Sequence, residues 1–201
     1  MDIDIAFEII AVLLALGYLY YMVKENILCW IFGIANSLLS LVLMIRVGLY
    51  SESILYVFYV GVGIYGLLLW SKKDKKGKEI AITNNKPLHN VMLIIIGAAG
   101  ALGLGHLFST QTNAESPYFD ATTTSFSFVA SFLEAHKILS SWIYWILING
   151  ATIYLYFTKG LFYYTGLTVV YTVFSVAGLL AWRKKYLASK VDSANTFIER
   201  N

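Results

Sequence analysis

Seven apolar runs, near residues 5–23, 27–45, 53–70, 90–108, 121–138, 141–158 and 162–182, each approach the ~20 residues an α-helix needs to cross a bilayer. Charged residues make up only 13% of the 201-residue chain and hydrophobic ones 58%, where a soluble domain carries about 25% charge. In lipid the backbone must satisfy its own hydrogen bonds, so this composition predicts an all-α integral membrane protein with seven transmembrane helices. The fifth run is the weakest, diluted by Thr122, Thr123, Thr124, Ser125, Ser127, Ser131 and Glu134, yet a consistent topology needs it. Pro87 and Pro117 are placed in the loops on either side of the fourth helix, so no helix should carry a proline kink. The lone Cys29 excludes an internal disulfide and a thiolate metal cluster. The opening Met1-Asp2-Ile3-Asp4, with Glu8 following, lacks the basic segment of a cleavable signal, so the first helix is expected to be retained.

Orientation follows from the basic residues. Lys72, Lys73, Lys75, Lys76, Lys78 and Lys86 crowd the loop after the third run, and Arg183, Lys184, Lys185, Lys190 and Arg200 follow the seventh. Putting both clusters in the cytoplasm places the N-terminus outside and the C-terminus inside. Lys24 and Lys137 then also face inward, and only Arg46 and Lys159 lie outside. The clusters read as topology determinants meeting anionic lipid heads, and no nucleic-acid partner is expected.

A gapless offset of 112 residues superposes the two ends of the chain. Trp30 meets Trp142, Gly48 meets Gly160, Tyr59 meets Tyr171, Gly66 meets Gly178, Trp70 meets Trp182, and Lys72-Lys73 meets Lys184-Lys185, with Glu8 opposite Asp120. The expected architecture is two parallel three-helix repeats (3+1+3), residues 7–73 and 119–185. The linker helix 90–108 bridges them, and a polar C-terminal tail covers 186–201. Parallel repeats of this kind are a transporter arrangement with a substrate site near mid-bilayer.

Within the sixth run, Trp142, Trp145 and Asn149 fall at helical offsets i, i+3 and i+7 and share a face. An amide in hydrocarbon costs roughly 2–7 kcal/mol unless it finds a partner, so Asn149 is expected to point into protein or toward a ligand. Across the repeat Trp145 is matched by Gly33 and Asn149 by Ser37. Helix seven carries Thr165, Thr168, Thr172 and Ser175 in one stripe, and helix five carries Thr124, Ser127, Ser131 and Glu134. The helix-one counterparts, Val12, Ala15, Leu19 and Met22, are apolar. Ligand chemistry is therefore expected mainly on the second repeat, with Thr168, Tyr171 and Thr172 beside the aromatic pair. Tyr56, Tyr59 and Asn36 of the first repeat would close the site.

These residues carry a resemblance. The pattern Trp-x-x-Trp-x-x-x-Asn at Trp142, Trp145 and Asn149 resembles that of the PnuC-type bacterial vitamin transporters. Gly48-Leu49-Tyr50, Ile64-Tyr65-Gly66 and Lys159-Gly160-Leu161 look like further family positions. The resemblance covers about residues 7–185. It implies facilitated diffusion of a vitamin, most often nicotinamide riboside, drawn inward by phosphorylation, in a bacterial cytoplasmic membrane. Thiamine or riboflavin would be alternatives, since Tyr56, Gly63 and Ala177 stand where some members have polar amides. A ring cation over Trp or Tyr gains about 0.5–2 kcal/mol, which suits a cationic vitamin.

Competing readings attach to several residues. Trp30, Trp70 and Trp182, near helix ends, read as interfacial anchors. The helix-seven stripe reads equally as ligand contacts and as interhelical glue. Gly61, Gly63 and Gly66, and the series Gly97, Gly100, Gly103 and Gly105, read as packing faces, because no Lys-Ser or Lys-Thr follows a glycine-rich loop. Glu134 reads as a solvated or snorkelled carboxylate near a helix end, with a second reading as partner to a cationic ligand. Glu134 and His136, two residues apart, face away from each other on a helix, and His89 and His106 have no near partners. No catalytic constellation, metal site or cofactor motif is present, so the expectation is a non-enzymatic transporter, with a channel-like or purely structural membrane protein as the rival. Its partners would be the vitamin and the bilayer, and the sequence leaves a homo-oligomer open.

Overall fold

The computed structural model describes residues 3–46, 50–72, 79–111 and 116–198. Seven α-helices run in order: α1 Ile3–Val23, α2 Leu28–Arg46, α3 Tyr50–Ser71, α4 Pro87–Gln111, α5 Pro117–Ala135, α6 Ser141–Thr158 and α7 Phe162–Ile198. Thr83 and Ile138 form an isolated parallel β bridge. By length and apolarity α1, α2, α4 and α7 could each cross a membrane unaided, and residues Leu55–Ser71 of α3 form a shorter apolar helix. The two helices without such a run are α5, diluted by hydroxyls, and α6, which carries the tryptophans and Asn149.

Three boundaries differ from expectation. Helix α5 begins at Pro117 and ends at Ala135, not 121–138, because Pro117 occupies its first turn behind an N-cap Ser116. Pro87 likewise opens α4. Both prolines start helices instead of lying in loops, since a first-turn N–H has no intrahelical partner to lose. Residues 186–198, expected as a polar tail, continue α7 to 37 residues. At 1.5 Å per residue that is about 55 Å, well beyond the ~30 Å of bilayer hydrocarbon.

The chain divides into two compact units, Met1–Ile80 and Ala81–Asn201. In the N-terminal unit α2 packs on both α1 and α3. In the C-terminal unit α4 packs on α5, α5 on α6, and α6 on α7. Helix α5 is the most enclosed: Ala121, Ser125, Ser127, Ala130, Ser131 and Leu133 are all buried. Enclosure explains how so polar a helix can sit in a membrane protein, since its small residues admit close neighbours and its hydroxyls meet protein rather than lipid. Ser125 Oγ donates to Gly97 O of α4 at 2.8 Å. The Phe126 and Tyr118 rings occupy the space a Cβ on Gly97 or Gly105 would need. Gly103 faces open space.

Several local structures recur in the two units at the 112-residue spacing. The turn after α1 places Glu25 at φ 60 and the turn after α5 places Lys137 at φ 53, the only non-glycine positive φ values among the described residues. Glu25 N donates to Met22 O at 2.9 Å and Asn26 N to Tyr21 O at 2.9 Å; Lys137 N donates to Glu134 O at 3.0 Å and Ile138 N to Leu133 O at 2.9 Å. This is the left-handed helix stop that satisfies orphan carbonyls. The Trp30 and Trp70 rings meet edge-on at 5.5 Å and 89°, those of Trp142 and Trp182 at 5.3 Å and 89°. A Cβ on Gly178 would lie 2.5 Å from the Trp142 ring, and one on Gly66 would strike Trp30.

That packing corrects the anchor reading of Trp30, Trp70 and Trp182, which are 2%, 5% and 0% exposed. An anchor presents its ring to the headgroup region. Trp30 instead fills the notch that Gly66 opens in α3, and Trp70 and Trp182 pack edge-on against Trp30 and Trp142.

Candidate functional site

The motif residues of α6 lie in the C-terminal unit in three different environments. Trp142 is fully buried, its ring over Gly178 and edge-on to Trp182. Its indole N–H is buried without an acceptor, as is that of Trp30. Trp145, one turn on, is half-buried. Asn149 is buried at mid-helix, and its Nδ2 donates to Ser175 Oγ of α7 at 3.3 Å. The Asn149–Ser175 pair joins α6 and α7 through polar groups. Among the described residues no group donates to Asn149 Oδ1.

Ser175 Oγ in turn donates to Tyr171 O at 2.9 Å. The remaining α7 hydroxyls also bond back to their own helix: Thr165 to Leu161 O, Thr168 to Tyr164 O and Thr172 to Thr168 O, at 2.8–2.9 Å. Each spends its proton on the preceding turn and keeps its lone pairs as acceptors. Thr168 is buried, while Tyr171 and Thr172 are half-buried. The glue reading thus applies to Ser175 alone, through its contact with Asn149.

The other predicted residues fall elsewhere. Tyr56 and Tyr59 belong to α3 of the N-terminal unit, both half-buried, with ring centroids 6.3 Å apart at 62°. Asn36 is half-buried on α2 of the same unit. At the 112-residue spacing Asn149 and Ser175 correspond to Ser37 and Gly63, and a Cβ on Gly63 would strike the Ile34 side chain. Gly63 has no side chain to bond with, so the Asn149–Ser175 hydrogen bond has no counterpart between Ser37 and Gly63 of the N-terminal unit.

Glu134 requires a correction. Expected as a solvated or snorkelled carboxylate, it is 1% exposed in the last turn of α5, at the position where the N-terminal unit buries Met22. Lys137, in the following turn, is also 1% exposed. Helix α5 stops at Ala135, so the backbone folds over Glu134 instead of running on toward water. His136 caps the helix and is half-buried against the Phe132 ring at 4.6 Å, and burial pushes its imidazole below the usual range.

A partner that residue-by-residue reading missed is Ser175. The α7 stripe contains it, but only the geometry joins it to Asn149. The available signal was its match to Gly63, which marks a position polar in one half alone.

A model of the family described as "Nicotinamide mononucleotide transporter" matches residues 5–184. The chain belongs to the nicotinamide mononucleotide transporter family. The chain is similar to "Nicotinamide riboside transporter PnuC" of Escherichia coli (strain K12), 21% identical in an alignment covering 79% of this chain and 77% of the relative. The Shigella flexneri protein of the same name aligns with the same identity and coverage. The fold resembles a crystal structure of the vitamin B3 transporter PnuC, with a TM-score of 0.69 and 22% identity over 87% of this chain and 79% of that one.

Proposed function

We propose that this protein carries a vitamin, nicotinamide riboside first among the candidates, across a bacterial cytoplasmic membrane by facilitated diffusion. The observation that carries the reading is the α6 face, where a half-buried indole stands one turn from a buried amide whose carbonyl oxygen has no donor among the described residues. Trp145 offers a flat wall for a cationic pyridinium ring, worth about 0.5–2 kcal/mol. Asn149 Oδ1 accepts from the carboxamide or ribose hydroxyls, and Thr168 and Thr172 offer further lone pairs. Trp142 holds α6 against α7 and presents its unpaired N–H as a donor. Tyr171 borders the same helix face. The relatives' names support the choice of vitamin, and the family supports transport over a channel or structural role.

The proposal extends to architecture. Helices α1–α3 and α5–α7 are two copies of one unit, a repeat supported by the matched turns, tryptophan pairs and glycines. The N-terminus is outside, the C-terminus is cytoplasmic, and α4 links the copies. Tyr56, Tyr59 and Asn36 are further candidate substrate contacts, and Glu134 supplies a counter-charge to the cation. Intramembrane ionisable groups, which ion-coupled carriers use, are few, so uptake draws on intracellular phosphorylation rather than an ion gradient.

Competition binding with nicotinamide riboside, thiamine, riboflavin and a neutral sugar tests the substrate. Nicotinamide riboside should bind tightest; preference for the sugar would end the vitamin reading. Glu134→Gln should weaken a cationic ligand more than a neutral one, and an equal effect on both would remove Glu134 from the site.

A further inference from the structure

A cavity lies in the C-terminal unit, away from the motif. Helices α4 and α6 both pack on α5 but, among the described residues, not on each other, and the gap between them is a groove of about 470 Å³. None of the proposed substrate residues lines it. Its α6 wall is the face of Ser140, Tyr144, Leu147 and Ala151, roughly opposite to that of Trp142, Trp145 and Asn149 at 3.6 residues per turn. Whatever fills it therefore does not compete for the Asn149 amide.

The groove is apolar along most of its length, but two hydroxyls at one end lack partners. Ser140 is 5% exposed with its Oγ buried and unpaired, and Tyr144 OH, one turn deeper, is also buried and unpaired. The Tyr144 ring is held against Phe126, centroids 6.2 Å apart at 24°. By contrast, Thr122 and Thr123 in the same groove bond back to α5 carbonyls. Both vacant donors thus belong to residues at the start of α6, where the helix enters the membrane. An occupant must bring acceptor oxygens to that end and hydrocarbon to the rest.

Length and charge narrow the choice. From Ser140 to Ala151 the groove follows α6 for about 16 Å, close to the ~15 Å of one hydrocarbon leaflet. Ile94, Ile143 and Leu147, half to two-thirds exposed, line its walls. At the hydroxyl end, Asn90 lines the α4 wall, and the exposed Lys86 lies just before α4, its backbone carbonyl accepting from Asn90 N at 3.3 Å and His89 N at 3.0 Å.

We propose that the α4–α5–α6 groove binds one acyl chain of an anionic membrane phospholipid, its ester oxygens accepting from Ser140 and Tyr144 and its headgroup lying beside Lys86. The lipid would wedge α4 and α6 on α5, on the side of α6 turned away from the substrate. A zwitterionic lipid fits the hydrocarbon but gains less from the mouth.

Native mass spectrometry of delipidated full-length protein, titrated with phosphatidylglycerol or phosphatidylcholine, tests this. The wild type should retain phosphatidylglycerol preferentially, and Lys86→Glu should lower that retention about fivefold or more. Leu147→Trp, which fills the groove, should lower it about tenfold, and the near-isosteric double variant Ser140→Ala with Tyr144→Phe should also weaken it. Nicotinamide riboside affinity should be unchanged in the double variant, reporting an intact fold. Wild-type lipid retention in both Leu147→Trp and the double variant overturns the proposal. So does a Leu147→Trp protein that dissociates from an oligomer while keeping its lipid, because the groove would then be an interface between copies of this chain.

Discussion

Gly178 and Gly66 show how single residues set the helix contacts. Each sits where a tryptophan from the preceding helix lies against the backbone, and an added methyl has only a rigid indole to push. Gly178→Ala and Gly66→Ala should each destabilise the protein by roughly 1–3 kcal/mol through overpacking, measurable by denaturant unfolding in detergent micelles. Gly103→Ala, facing open space, should cost nothing and gain a little helix propensity. The buried tryptophans were misread from sequence because hydropathy reports how near a residue lies to a helix end, not which way its ring points. The signal was present in the recurrence of Trp30, Gly66 and Trp70 as Trp142, Gly178 and Trp182. An interfacial anchor needs no matched glycine. Glu134 was misjudged for a related reason: its burial depends on where α5 stops, and that is fixed by the left-handed turn at Lys137.

At the scale of elements, α5 carries a density of Ser and Thr hydroxyls that its counterpart α1 lacks. Helix α5 tolerates its hydroxyls because neighbours enclose it, and the Ser125 bond to Gly97 O is one point of attachment to α4. Ser125→Ala should cost about 1 kcal/mol of stability, read by the same unfolding assay. Thr172→Val should change stability by less than about 0.5 kcal/mol, because its proton stays within α7. If the Thr172 lone pairs meet substrate, affinity will fall while stability holds. Helix positions were legible in the apolar runs, and the dilution of α5 was visible in its composition. The continuation of α7 to Ile198 was not, because a polar sequence with good helix formers reads as a tail when hydropathy alone is followed.

For the whole molecule, the family and the seven-helix fold were legible from the apolar runs and the α6 motif. The pairing of Asn149 with Ser175 was not, since it joins residues 26 positions apart on different helices. The proposed mechanism puts the ligand chemistry on α6 and α7 of the second copy. Counterflow in proteoliposomes without ion gradients should proceed at full rate, and a requirement for a proton or sodium gradient would contradict uniport. The most direct test of the central claim is calorimetric titration of nicotinamide riboside into matched variants from the two units. Asn149→Ala and Trp145→Ala should each weaken binding about tenfold or more, a loss of about 1.4 kcal/mol, while Ser37→Ala leaves it unchanged. Wild-type affinity in Asn149→Ala and Trp145→Ala, with loss in Ser37→Ala, would contradict the account.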